Sequence, residues 1–574
     1  MIKQSVCFML WVRLTWQRFG VFAVAAIFSL SACSDQQQNS AATPVRQSMS
    51  MENSDQRPNF LVVVVDDLGY SDLGAFGGGE VDTSAIDHLA LDGVRLSSFY
   101  STPTCSPTRA ALLSGADPHI AVLGNMAELL ADNQRGKPGH EGYLNQRVVS
   151  IASLLQDAGY FTAMTGKWHL GLEEEHSPAA QGFNRSFALL HGGAGHFDDT
   201  GLLAMAPKAL FREDGKLAEW PNGRYSSDFY TEKLIEYLSE NDASQPFFAY
   251  LAFTAVHWPL QAPDDLIRKY RGRYDQGWDV LREKRLEGMQ QAGLLDEGVN
   301  FTPPPGYQPW KSLSKEQQRI EARKMEVFAA MVDSINQNIQ LLVSYLEESG
   351  VLDNTVVIFL SDNGAEGTPL EKSPLLEGWL EHFDNSFENM GRAGSYIFYG
   401  PNWAHATTAP GKHYKGHVSE GGIHVPAFIW RKEMASKGVI AGTPVTVMDI
   451  APTLFEMAGV VYPEKYRGRP LTQLRGKSLL PLIDDPLARI HAEDATLGLE
   501  LFGRRALRQG KWKAYLEPPP FGTGEWELYD LEKDRGETHN VAAAHPELMA
   551  RLAAAWQDYA DQVGVILPEG PSGY

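Results

Sequence analysis

Phe60-Leu61-Val62-Val63-Val64-Val65-Asp66-Asp67 is an unbroken apolar, mostly β-branched run that stops on two carboxylates. A strand with one wet face alternates apolar and polar residues, whereas this one does not, so it reads as a strand buried on both faces of a parallel sheet. The same grammar recurs downstream. Residues 151–158 are helical in pattern and stop at Gly159, before a short strand at 160–165 and the turn Gly166-Lys167-Trp168-His169. A helix at 230–239 precedes a strand at 247–253, which runs into Val256-His257. The long periodic stretch 320–349, closed by Gly350, precedes a strand at 356–360 and then Ser361-Asp362-Asn363-Gly364. Helices alternating with parallel strands predict an α/β fold, an open sheet with helices on both faces. Asp66, Asp67, Lys167, His169, His257, Asp362 and Asn363 all follow the carboxyl end of a predicted strand, the edge at which such sheets bind ligands. One shared site is the expectation.

Two stretches fit this scheme less well. Residues 264–318 form a charged insertion with Arg268, Lys269, Arg271, Arg273, Arg282, Lys284 and Arg285, then a proline-rich turn at 303–305. It reads as a solvated helical excursion on the surface. After about Gly468 the alternation fades; 511–516 and 526–531 look like antiparallel strands, and a terminal helix is expected over 546–563. The main domain is therefore placed at 59–467 and a smaller α+β domain with an antiparallel sheet at 468–574.

Composition narrows the chemistry. The chain has 574 residues, 43% hydrophobic and 21% charged, ample for a large core. Its 71 acidic residues outnumber 50 basic ones, a net charge of −21, so nucleic acid is not an expected partner. Three cysteines exclude a disulfide framework and a multi-cysteine zinc site.

Cys105-Ser106-Pro107-Thr108-Arg109 continues as Ala110-Ala111-Leu112-Leu113-Ser114-Gly115. Pro107 suits a first helical turn and Gly115 a helix end, which puts Cys105 at a helix N-terminus. There it could be a reactive thiolate, because helix N-termini lower thiol pKa, or a buried structural cysteine. The eleven residues from Cys105 to Gly115 resemble the signature of type I sulfatases, in which the cysteine is oxidised to Cα-formylglycine. Asp66-Asp67-Leu68-Gly69, Gly166-Lys167-Trp168-His169-Leu170-Gly171, Ser361-Asp362-Asn363-Gly364, Lys415-Gly416 before Glu420-Gly421-Gly422, and 526–531 extend the likeness in the family's order.

The resemblance, closest to bacterial arylsulfatases, implies an alkaline phosphatase-like fold with a large mixed, mostly parallel sheet. It implies one Ca²⁺, with Mg²⁺ less suited, held by Asp66, Asp67, Asp362, Asn363 and the modified Cys105; the all-oxygen donor set agrees with a hard cation. It also implies hydrolysis of a sulfate ester through a formylglycine gem-diol and a covalent sulfoenzyme. Asp362 would activate the attacking hydroxyl, and His169 would deprotonate the second one to expel sulfate. His257, with Lys415, would serve the leaving oxygen, Lys167 and Lys415 would clamp sulfate, and Arg109 would steady the formylglycine. Lys412, His413 and His417 leave the Lys415 assignment open to a shift. His191 to His196 is a glycine-rich loop expected to carry two solvated histidines. Two other readings stay open: a phosphodiesterase or phosphonate monoester hydrolase of the same superfamily, and a non-catalytic surface lipoprotein with unmodified Cys105.

The amino-terminal 32 residues read as a targeting signal, with Lys3, Arg13 and Arg18 before an apolar run. The run ends in Leu30-Ser31-Ala32-Cys33, which resembles the lipobox of bacterial lipoproteins, with Cys33 lipidated; Cys7 would leave with the signal. Residues 33–58 are polar and read as a flexible tether. Export follows, with a lipid anchor in the periplasm or outer membrane of a Gram-negative bacterium. A formylglycine-generating enzyme is the maturation partner implied.

Overall fold

β1 (Asn59–Val65) is buried along its whole length. Leu61, Val63 and Val65 join one core and Phe60, Val62 and Val64 the other, so both faces are covered. Because both faces are apolar, hydrophobic pattern alone would tolerate a one-residue slip. Polar contacts at the strand ends oppose it: Asn59 Oδ1 accepts from the Phe247 amide at 3.0 Å, and Asp362 N–H donates to Val65 at 3.1 Å.

The computed structural model describes residues 57–121, 123–296, 303, 306–570 and 573. The signal segment with Cys7 and Cys33, nearly all of the tether, and Pro304 and Pro305 lie outside the described residues. The main sheet holds β1, β2 (Val94–Leu96), β3 (Phe161–Lys167), β4 (Arg185–Leu189), β5 (Phe211–Glu213), β6 (Lys216–Ala218), β7 (Phe247–Ala252), β8 (Thr355–Ser361), β9 (Ala427–Trp430) and β10 (Val439–Ala441), in the order β10-β2-β9-β8-β1-β7-β3-β4-β5-β6. β8, β1, β7, β3 and β4 run parallel at its centre, while β9, β5 and β6 pair antiparallel. It is the large mixed, mostly parallel sheet expected.

Helices α1 (Ser84–Asp92), α2 (Cys105–Ser114), α3 (Ile151–Asp157), α4 (Ser226–Ser239), α5 (Asp264–Lys269), α6 (Gly277–Gln291), α7 (Lys315–Glu348), α8 (Gly400–Thr407) and α9 (Ile450–Ala458) flank it. α1, α4 and α7 cover one face, and α2, α3 and α9 the other. α7 starts five residues before its apolar period does because Ser314 and Gln317 form a capping box that adds a polar first turn. Beyond them, β11 (Thr496–Leu501), β12 (Arg504–Gln509), β13 (Trp512–Leu516) and β14 (Trp526–Asp530) make an antiparallel sheet against which α10 (Pro546–Val563) packs.

The insertion is not a solvated excursion. Trp278, Leu281 and Met289 of α6 enter the core, and Trp278 stands edge-on to Trp310 and Trp403 at 4.8 and 5.4 Å. Arg282 is buried and donates to the His405 and Pro410 carbonyls; Arg285, fully buried, pairs with Asp72 and Glu80. Its charges read as surface because sequence does not show that these guanidinium groups meet fixed acceptors.

Candidate active site

The carboxyl edge of the parallel strands gathers the residues that its sequence marked. β1 delivers Asp66 and Asp67, β8 delivers Asp362 and Asn363, β3 ends in Lys167, and the turn after β7 carries His257. Asp67 and His169 take left-handed backbone, φ 63° and 56°, which non-glycine residues adopt at some cost and which is common at functional sites. Cys105 is the first residue of α2, which Gly115 closes at φ 65°.

Asp66 Oδ2 accepts from Lys167 Nζ at 2.7 Å, and Lys415 Nζ lies 2.9 Å from Asp67 Oδ1. Arg109 donates Nε and Nη2 to Asp362 Oδ2 at 3.0 and 2.7 Å, and Nη1 to the Lys167 carbonyl. All six residues of this set, with Cys105 and Asn363, are at most 1% exposed. The Cys105 Sγ–H points to Asp66 Oδ1 at 3.4 Å and Asp67 Oδ1 at 3.9 Å. Burial pushes this thiol well above its ordinary pKa, and the pull of Lys167 and Lys415 does not undo it. The burial of this sulfur disfavours the thiolate reading.

Donor atoms of Asp66, Asp67, Cys105 and Asp362 lie within 4.8 Å of one another. Asn363 Nδ2 is committed to Asp67 Oδ1 and the Gly364 carbonyl, while its Oδ1 is buried with no partner among the described residues. Burial pushes the Asp66 carboxyl up; Lys167 pulls it down, but Asp362 and Asp67 push it up again. Crowded carboxylates beside an orphaned amide oxygen fit an oxygen-preferring divalent cation.

His257 donates Nδ1–H to the Trp258 carbonyl at 2.6 Å and turns Nε2 toward Asp67 Oδ2 at 3.7 Å. Burial, reinforced by Lys415 and Lys167, holds it neutral. His169 is set apart from these contacts: its Nε2 meets Glu128 Oε1 at 3.0 Å. Of the basic cluster near 415, only Lys415 reaches the aspartates. Lys412 points to the Tyr529 hydroxyl, and His413 stacks on His417, which bonds Glu517.

Sequence reasoning missed three residues. Glu366 lies 3.4 Å from Lys415 Nζ, and its place four residues beyond Asp362 was an available signal. His196 is not solvated: it is 1% exposed, its Nε2 lies 3.0 Å from the His257 carbonyl, and its Nδ1 lies 2.7 Å from Ser226 Oγ. A carbonyl only accepts, so Nε2 carries the proton, the Ser226 hydroxyl donates to Nδ1, and the ring anchors the His257 backbone. Glu128 carried no signal, since it lies in a single 3₁₀ turn, Ala127–Leu129, outside every motif.

The family model described as Sulfatase matches residues 58–460. An uncharacterized sulfatase of Schizosaccharomyces pombe is 46% identical over 89% of this chain and 94% of its own length. An arylsulfatase of Klebsiella aerogenes is 37% identical over 76% and 92%. Among solved structures, Ps i-CgsB in complex with k-i-k-neocarrahexaose shares the fold with a TM-score of 0.63 and 24% identity, covering 88% of this chain and 93% of that one.

Proposed function

Because this chain belongs to the sulfatase family and hydrolyses sulfate esters, we propose that its preferred substrates are the sulfates of phenols and other apolar alcohols. The observation that carries this is an apolar wall beside His257. Trp258, Tyr396 and Phe398 cluster with part-buried Leu202 and Trp379. The Trp258 ring lies 4.9 Å from the His257 ring, and a Cβ built on Gly193 would touch both Leu202 Cδ1 and His257 Nδ1. An aromatic leaving group placed there would bury its faces against apolar side chains while its oxygen faced the imidazole. The 37% identity to a Klebsiella arylsulfatase agrees with this reading.

The family generally uses a metal ion and formylglycine, and the buried aspartate–cysteine cluster suits both. Asp66, Asp67, Asp362 and Asn363 would hold Ca²⁺, which would supply Lewis-acid polarisation at sulfate and at residue 105. Cys105, oxidised to the aldehyde and hydrated, would supply one hydroxyl to attack sulfur and a second whose deprotonation releases sulfate. Lys167 and Lys415 place their ammonium groups where sulfate oxygens need neutralising. Arg109 keeps Asp362 ionised and fixed. Lys415, an ammonium, would pass a proton to the leaving oxygen, His257 would face that oxygen through Nε2 and share the role once protonated there, and His169 would accept a proton when sulfate departs. The depth of the set excludes bulk water, which strengthens each of these interactions.

The test is mass spectrometry of the Cys105 peptide from active protein, together with turnover of nitrophenyl sulfate. An aldehyde at residue 105 and release of sulfate are expected; an unmodified thiol in turning-over enzyme refutes the nucleophile. Export as a lipoprotein anchored through Cys33 is part of the same proposal, supported by the lipobox-like sequence. Metabolic labelling with a radioactive fatty acid, lost in Cys33→Ala, checks it.

A further inference from the structure

Glu128 takes no part in the steps above, yet it holds the histidine assigned to sulfate release. His169 Nε2 lies 3.0 Å from Glu128 Oε1, while His169 Nδ1 is buried and has no hydrogen-bond partner among the described residues. A carboxylate only accepts, so Nε2 must carry the ring proton and Nδ1 must be the lone pair. Burial lowers the His169 pKa and outweighs the upward pull of Glu128, so the ring is neutral and able to accept a proton. Gly192 makes the pairing possible: a Cβ there would sit 2.8 Å from His169 Cε1 and 3.2 Å from Glu128 Oε1. The His169 side chain is 8% exposed and that of Glu128 36%, so the pair runs from the interior toward water.

We propose that Glu128 is a positioning residue for His169, fixing the Nε2–H tautomer and the ring orientation so that Nδ1 is left to take the proton at sulfate release. This rests on the release role given to His169 above. In that step the O–H bond of the free hydroxyl on residue 105 breaks and its proton goes to Nδ1. The freed electron pair forms the aldehyde C=O, and the C–O bond to sulfate breaks with its pair leaving on sulfate. The arrangement parallels an aspartate that orients a catalytic histidine without itself accepting the proton.

The test combines a spectroscopic and a kinetic readout on the full chain. In ¹⁵N-histidine NMR of Cys105→Ala protein, with His169 assigned by its loss in an added His169→Asn change, His169 should report the Nε2–H tautomer. It should move toward a tautomer mixture on Glu128→Ala and stay put in Glu128→Gln, which keeps an acceptor oxygen. In the enzyme with Cys105 intact, Glu128→Ala should lower kcat about 10- to 100-fold with KM falling alongside, as for a lost orienting partner. It should cost nothing further in the His169→Asn background. An unchanged tautomer in Glu128→Ala, or additive losses in the double variant, overturns the proposal. Loss of all turnover in the parent enzyme would count against the sulfatase chemistry while the NMR result still judged Glu128.

Discussion

Arg109 closes two of its nitrogens on one oxygen of Asp362: Nε and Nη2 reach Oδ2 at 3.0 and 2.7 Å, and Oδ1 is left to the Asp67 N–H at 3.2 Å. Burial opposes ionisation of Asp362, but Arg109, helped by Lys167 and Lys415, holds the carboxyl below its ordinary range. The pair is 1% and 0% exposed, so removing the guanidinium strands a charge in the interior.

Arg109→Gln is therefore expected to destabilise the protein by about 3–5 kcal/mol, the range for breaking a buried ion pair from one side. Arg109→Lys should recover only part of this, since an ammonium cannot reproduce the fork. Urea denaturation of the two variants and the parent measures the difference.

Cation binding can be checked without turnover. Ca²⁺ added to chelator-treated protein should raise Tm in a concentration-dependent way, by about 2.7 kcal/mol of stabilisation at a hundredfold excess over Kd. Asn363→Ala, which removes the orphaned oxygen, should shift that dependence to higher Ca²⁺, as read by calorimetry.

The apolar wall predicts a chain-length effect. Unbranched alkyl sulfates share one leaving-group acidity, so kcat/KM should climb about threefold to fourfold per added methylene over the first few, from about 0.8 kcal/mol for each buried CH₂. A hexose 6-sulfate, also a primary alkyl ester, should trail hexyl sulfate. Trp379→Ala should flatten the series while leaving the shortest ester unaffected; a flat series in the parent enzyme would remove the wall from substrate selection.

His119 sets an upper pH limit on stability. Burial lowers its pKa, but hydrogen bonds to Asp117 at 3.2 Å and Glu500 at 3.3 Å more than reverse this and raise it to about 9. A raised pKa means the stabilisation is complete below the unfolded value of about 6.5 and is lost as pH climbs through about 9, at most about 3 kcal/mol. Tyr559 of α10 bonds the same Asp117, so the loss should loosen the carboxy-terminal helix first. Tm measured from pH 6 to 10 should fall less steeply in His119→Gln than in the parent.

What the sequence made legible follows from where chemistry sits in this fold. β1 was readable because burial on both faces leaves no polar position, and Asp66, Asp67, Lys167, His257, Asp362 and Asn363 were readable because each ends or follows a central strand. Glu128 and His196 were not, because each acts through a partner far along the chain, residues 169 and 257, and nothing in the local spacing reports a fold that brings loops together. α6 misled for a related reason: Arg282 and Arg285 are charges with interior partners, while Glu283 and Lys284 between them are indeed exposed.

The 1% exposure of Cys105 bears on timing. Its sulfur lies buried against Asp66 and Asp67, out of reach of the active site of a second folded protein. Any enzyme that oxidises it must therefore meet residues 105–109 as slack chain, during synthesis or export. On the proposed maturation, oxidation would race folding: a chain that collapses early would keep its unmodified thiol and lack the proposed nucleophile.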